Sequence, residues 1–211
     1  IAIPGYLHRH EVLSLAGQAK PFAKREHLAV FLGRIDPSRA SHPATGGPDV
    51  RAALRQLHTD GQIFVGQNLS IPDMHGVMGN SKFCFVPKGK SAWSLRFYEA
   101  LFANCVPIVL SDFWELPFED FLDVSSFVVK WPMELVGQDL IRFLTSIPDE
   151  VVEEYMANAR RLRCWYVYPG VLTEVDVPPS ADGLYQVCPH LREENAYAGM
   201  MRLLERKHLV A

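Results

Sequence analysis

The chain has 211 residues, 48% of them hydrophobic and 21% charged, with a net charge of −3. Those values fit one globular domain, or one large and one small lobe, and exclude broad electrostatic capture of nucleic acid. No apolar run is long enough to cross a bilayer, no signal peptide is evident and the first residue is Ile1 rather than Met, so the chain reads as a piece of a longer one.

Residues 1–26 read as a lead-in, and "IAIPGY" within them can pair as an edge strand. "HLAVFLGR", 27–34, is a short apolar run ending in Gly, which predicts a buried strand and a loop. Residues 38–49 are rich in Pro, Gly and Ser and read as a loop. In 48–58 the apolar positions 50, 53, 54 and 57 have helical spacing, with Pro48 at the start. "GQIFVG" is a second strand. "IPDMHGVMGNS" predicts a short helix weakened by Gly76 and Gly79. "KFCFVP" is a third strand, stopped by Pro87. "SLRFYEALFANC" is a helix with Leu95, Tyr98, Leu101 and Phe102 on one face. "VPIVLSD" and "SSFVVKW" are strands four and five. Helices follow over 133–147 and 149–166, and "ENAYAGMMRLLERKHL" closes the chain as a last amphipathic helix. Between them, 169–190 is an irregular connection rich in Pro and Gly.

Strands alternating with helices predict an α/β fold with a doubly wound parallel sheet. The strands are almost continuously apolar, as when both sheet faces are covered. In such sheets ligands bind beyond the carboxyl ends of the strands. Three segments meet that condition: Gly33–Arg34, "PKGKSAWS" at 87–94, and "SDFWELPF" at 111–118. The chemistry there suits a nucleoside diphosphate. Gly89 and Ser91 allow close approach and offer a hydroxyl; Arg34, Lys88, Lys90 and Arg96 carry positive charge; Glu99 has two acceptor oxygens for a ribose diol. Arg96 and Glu99 are also three apart, so an ordinary helix-surface ion pair is the competing reading. Arg34 reads equally as a surface charge.

Other motifs fail. "GKS" at 89–91 lacks the earlier Gly of a P-loop, since position 84 is Cys. No Gly-rich dinucleotide fingerprint follows the first strand, no Asp-x-Asp holds a metal diphosphate and no Gly-x-Ser-x-Gly marks a hydrolase. "HRH" at 8–10 reads as solvated rather than metal-binding. Glu115, Glu119 and Asp120 read as capping or solvated acids before catalytic ones. The basic spots Lys20–Lys24–Arg25 and Lys82–Lys88–Lys90 could meet a small anion. The four cysteines fit no zinc spacing. Cys84 and Cys105 lie beside apolar runs and read as buried thiols, with disulfides as the alternative in an oxidising compartment.

The block 81–129 resembles exostosin-type glycosyltransferases of family 47. The shared pattern is a strand ending in Pro87, then Ser94–Arg96–Glu99–Ala100, then Cys105–Val106–Pro107, then Leu116–Pro117–Phe118. "IAIPGY", "FLGRID" and "VRAALRQL" extend it upstream. The resemblance implies the C-terminal, donor-binding half of a GT-B enzyme, in which two Rossmann-like domains flank the active site. Residues 27–168 would then form the nucleotide-sugar-binding domain, entered by 1–26 from an N-terminal domain and closed by 169–211. It implies inverting transfer from a nucleotide sugar, usually a UDP-sugar, to a polysaccharide or glycan acceptor, without an essential metal or other cofactor. The donor-binding set it implies is Gly33, Arg34, Pro87, Lys88, Ser91, Ser94, Arg96 and Glu99. Arg34 and the helix start at Ser94 would meet the diphosphate, Glu99 the ribose, the backbone at Val86 and Pro87 the base. Arg96 would reach the phosphates or brace Glu99. Inversion needs a general base, which in GT-B enzymes commonly comes from the N-terminal domain, and no residue is named for it. The resemblance also implies a Golgi membrane protein facing the lumen, and allows homo- or hetero-oligomers with related transferases. A non-catalytic exostosin-like partner or glycan-binding subunit is the alternative reading.

Overall fold

The computed structural model describes residues 2–34, 49–57, 62–89, 91–169 and 183–208. Among these residues five strands form one sheet in the order β2-β1-β3-β4-β5, and every pairing is parallel. They are β1 (His27–Leu32), β2 (Ile63–Gly66), β3 (Ser81–Pro87), β4 (Val106–Leu110) and β5 (Val129–Lys130). The helices are α1 (Arg9–Gln18), α2 (Val50–Gln56), α3 (Ile71–Gly79), α4 (Arg96–Phe102), α5 (Gln138–Ser146), α6 (Asp149–Leu162), α7 (Gly183–Val187) and α8 (Ala196–His208). This is the doubly wound α/β arrangement that the alternating pattern predicts.

Two hydrophobic clusters cover the two faces of the sheet. One buries α2 and α5 against Ala29, Phe31, Phe83, Phe85 and Ile108. The other buries α1 and α4 against Val30, Leu32, Cys84 and Val86, with Met78 of α3 among them. Alternate residues of β1 and β3 therefore point to opposite clusters, as the two-residue period of a strand requires. α6 joins the faces: Val152 and Met156 belong to the first cluster, Ala159 and Leu162 to the second.

Several local expectations change. Residues 2–8 form no strand; instead α1 follows, and Leu7, Val12 and Leu15 enter the core. α2 starts after Asp49, whose side chain accepts from the N–H groups of Arg51 and Ala52 at 3.1 Å. Pro48 and nearly all of the loop at 38–49 lie outside the described residues. α3 is regular despite its glycines, because Ser70 caps it and packing outweighs propensity. β5 is shorter than the predicted run. Ser125 and Ser126 turn back to hydrogen-bond Asp123, and that local bonding competes with a ladder. The helix expected over 133–147 is a short turn, Met133–Leu135, followed by α5. The one expected over 149–166 ends at Leu162 and tightens into a 3-10 turn. The cysteines are not thiols: Cys84 joins Cys105, and Cys164 joins Cys188.

α4 departs furthest from a one-faced helix. Phe97, Tyr98, Glu99, Ala100, Leu101 and Phe102 are all buried. Its carboxyl end is held by two buried arginines. Arg25 donates to the carbonyls of Ala103, Lys20 and Ser81, and Arg163 to those of Phe102 and Val187. Burial lowers both guanidinium groups to about 10, with Arg160 a lesser cause. A positive charge at a helix C-terminus is favourable.

α1 and α3 meet at their carboxyl ends, where Lys20 N–H donates to Gly79 O at 2.9 Å. A side chain at Gly79 would strike the carbonyl oxygen of Gln18 and stand 2.8 Å from its carbon, whereas nothing lies within 4 Å of one at Gly17. Gly79→Ala should therefore lose about 1–3 kcal/mol of stability. Gly17→Ala, inside α1, should gain about 0.5–1 kcal/mol. Thermal melts of the two variants check the opposite signs.

Candidate functional site

The strand order places a topological switch point between β1 and β3, since the chain leaves β1 in one direction and β3 in the other. β1 and β3 are in register from His27–Ser81 to Val30–Cys84. β1 then stays with β2 as far as Leu32–Gly66, and β3 with β4 as far as Pro87–Leu110. Past the strand ends Gly33 N–H donates to Gly66 O, and Lys88 N–H donates to Leu110 O, both at 3.1 Å. The two strands part there, and the space between their ends is the candidate crevice that such a switch point offers. Gly33 and Arg34 form one lip; Pro87 and Lys88 form the other.

The structure thus brings Gly33, Arg34, Pro87 and Lys88 to one place. Ser91 is exposed and Ser94 half-buried on the loop leading to α4. That loop is tied to the end of β4 by Ser111 Oγ, which donates to Ala92 O at 2.8 Å. α4 begins at Arg96, and the Ser94 carbonyl accepts from Phe97 N–H at 3.2 Å. Lys90 lies outside the described residues.

Arg96 and Glu99 face a different way. They form an ion pair of 2.7 Å with side chains 17% and 11% exposed, too enclosed for an ordinary surface pair. Arg96 Nη1 also lies 3.1 Å from Met74 Sδ and 3.5 Å from Met78 Sδ, both on α3. Burial pushes the Glu99 carboxyl above its usual value; Arg96 opposes the rise and Glu11 of α1 adds to it. Close by, His75 Nδ1 lies 2.8 Å from Ser14 Oγ. Burial holds that imidazole below its usual value, and the charges of Glu11, Arg96 and His10 act on it as lesser causes. A polar cluster contributed by α1, α3 and α4 therefore lies on one face of the sheet, beside the crevice rather than in it.

The remaining charged candidates are accounted for. Glu119 pairs with Lys130 at 2.8 Å, while Glu115 and Asp120 are exposed. The basic spots do not converge. Lys20 pairs with Glu26 and Arg25 is buried. Lys82 pairs with Asp149 at the amino end of β3, the opposite end from Lys88.

Sequence reasoning missed Arg51. It stands in the first turn of α2, and its guanidinium donates to Arg34 O at 2.8 Å and to Lys88 O at 3.3 Å. It also lies over the Phe31 ring, 5.7 Å from the centroid. The only signal available was its place beside the apolar positions 50, 54 and 57, which faces the helix start toward the sheet end. His75, Ser14 and Glu11 were missed because α1 was not foreseen.

The sequence pattern of the Exostosin GT47 domain matches residues 1–147. The chain belongs to the exostosin GT47 family. Its Rossmann-like sheet is consistent with one half of the GT-B arrangement. Among curated relatives, Exostosin-1c of Danio rerio is 40% identical over 143 residues, 61% of this chain and 18% of that protein. Exostosin-1b of Danio rerio is 42% identical over 79 residues, 37% of this chain and 10% of that protein. Exostosin-1 of Drosophila melanogaster is 40% identical over 79 residues, 37% of this chain and 9% of that protein. The matched stretch thus spans less than a fifth of each of these relatives.

Removing one partner of a buried ion pair leaves the other uncompensated. Arg96→Met should therefore cost about 3 kcal/mol at pH 8. Glu99 has a raised folded pKa, so its contribution is full below the unfolded carboxylate range and falls as pH rises through the folded value. The deficit of Arg96→Met should thus shrink toward pH 5, and adding Glu99→Gln should recover most of it at pH 8. Urea melts at the two pH values test this; equal deficits would mean that Arg96 does not offset the Glu99 charge.

Proposed function

We propose that this chain is the donor-binding half of a glycosyltransferase that moves a sugar from a UDP-sugar to a glycan or polysaccharide acceptor, with inversion and without a metal. The observation that carries the reading is the parting of β1 and β3 in a GT47 domain. It lies at the carboxyl edge of the sheet, where parallel α/β folds hold their ligands.

Each candidate residue takes a role in the crevice or, for Arg96 and Glu99, beside it. Arg34 and Lys88 supply the positive charge that offsets the leaving diphosphate as charge develops. Gly33 keeps its lip low, and Ser91 and Ser94 line the loop opposite. The backbone at Val86 and Pro87 faces the base. Glu99 accepts hydrogen bonds from the ribose hydroxyls, and Arg96, 2.7 Å away, braces it. In this reading 27–168 is the nucleotide-sugar-binding unit, 1–26 lead in from an N-terminal domain and 169–211 close the fold. The general base belongs to the other half of the enzyme. The two disulfides favour an oxidising compartment, and with the family they support a lumenal, Golgi location. None of the described helices is long and apolar enough to cross a membrane.

Calorimetric titration of the chain with UDP, with and without EDTA, tests the reading. Saturable binding that EDTA leaves unchanged is expected. Glu99→Gln, which keeps the side-chain volume, should weaken it about tenfold. A folded chain that takes up no UDP would overturn the reading of a preformed donor site and favour a non-catalytic family member.

A further inference from the structure

Above the Val30–Cys84 pair the two lips of the crevice belong to separate halves of the sheet. Gly33 is hydrogen-bonded to β2 and Lys88 to β4. The distance between the lips is therefore not set by the β1–β3 ladder. Arg51 spans it. Its two terminal nitrogens grip Arg34 O on one lip and Lys88 O on the other, at 2.8 and 3.3 Å. The guanidinium is planar and rigid, so one group fixes the separation of both carbonyls. Its own position is fixed in turn. Asp49 caps α2 through the N–H of Arg51 itself, Val50 and Leu54 are buried beneath, and the Phe31 ring lies against the cation.

We propose that Arg51 is a positioning residue for the diphosphate of the donor: it sets the width of the crevice by tying the Arg34 lip to the Lys88 lip. The proposal rests on the donor-site reading above. Two consequences follow for an anion in the crevice. The carbonyl oxygens of Arg34 and Lys88, both negative dipole ends, are engaged by Arg51, and a fixed positive charge stands behind them. The main chain that carries Arg34 and Lys88 is then anchored and needs less reorganisation when the phosphates arrive. A lysine at this position would keep the charge but not the span. Its ammonium is a single point with rotatable donors, and it cannot hold two carbonyls in one plane.

A purely structural arginine would also stitch α2 to the sheet, and its loss would weaken every ligand alike. The test therefore compares UDP with uridine, which carries the same base and ribose but no phosphate. Affinities of both are measured by ligand-observed NMR on the wild-type chain, Arg51→Lys and Arg51→Gln, with circular dichroism as the check of folding. Both variants should lower the ratio of UDP to uridine affinity about tenfold, with uridine binding little changed. Arg51→Lys keeps the experiment decisive if Arg51→Gln fails to fold. A folded variant that binds UDP and uridine with the wild-type ratio would overturn the role of Arg51 and leave the donor site standing. So would an Arg51→Lys variant that matches the wild type while Arg51→Gln does not, since charge alone would then suffice. A wild-type chain that binds uridine but not UDP, or neither, would overturn the donor-site reading, and the role of Arg51 with it.

Discussion

The parting of β1 and β3 is the constraint from which the rest of the candidate site follows. Five parallel strands in the order β2-β1-β3-β4-β5 must be joined by crossovers on both faces. The two central strands are then the ones whose connections leave in opposite directions. The family's Phe-x-Gly-Arg loop ends one of these strands, and its Pro-terminated strand is the other. The residues that look most like ligand contacts thus fall where the topology leaves room.

The division at that point is reinforced covalently. Cys84 is the last β3 residue in register with β1, and its disulfide runs to Cys105, just ahead of β4. A link closing a loop of this size is worth about 3 kcal/mol on an entropic account. It holds together β3, α4 and β4, the unit that carries Pro87, Lys88, Ser91, Ser94, Arg96 and Glu99. α4 is the rigid member of that unit. It is buried on all sides, and Arg25 and Arg163 bind its last carbonyls. A carboxylate inside such a helix is costly to bury, and Arg96 offsets that cost.

The sheet was legible in the sequence because β1, β2 and β3 are short apolar runs that end at Gly or Pro, and β4 is an unbroken apolar run. Periodicity also located α2, α4, α6 and α8. What failed was local chemistry. Ser125 and Ser126 shortened β5 by hydrogen bonding to Asp123, and Gly137 divided a predicted helix in two. α1 was missed because Val12 and Leu15 are its only buried residues, too few to give a clear stripe. The cysteine pairing was open because residues 21 and 24 positions apart carry no sign of proximity in sequence. Of the candidate site, residues at strand ends were legible, since a strand end predicts its own location. Arg51 was not. It acts by reaching from a helix to two main-chain carbonyls far along the chain, and main-chain acceptors leave no trace in a sequence.

That asymmetry bears on how the two charged clusters relate. The crevice carries its charges on strand ends and on α2, from one face of the sheet. The Arg96–Glu99 pair lies on α4, with Glu11, Ser14 and His75 around it, on the other face. A nucleoside diphosphate is long enough to use both, its phosphates in the crevice and its ribose toward α4. Such a ligand would bridge a helix held by buried arginines and a pair of lips held by Arg51. The two anchors differ in kind. Arg25 and Arg163 are buried and fix a helix whose neighbours already surround it. Arg51 is only half-buried and spans a gap that the ladder leaves open. Spacing at the strand ends thus depends on one half-buried side chain, and spacing at α4 on a fully packed helix.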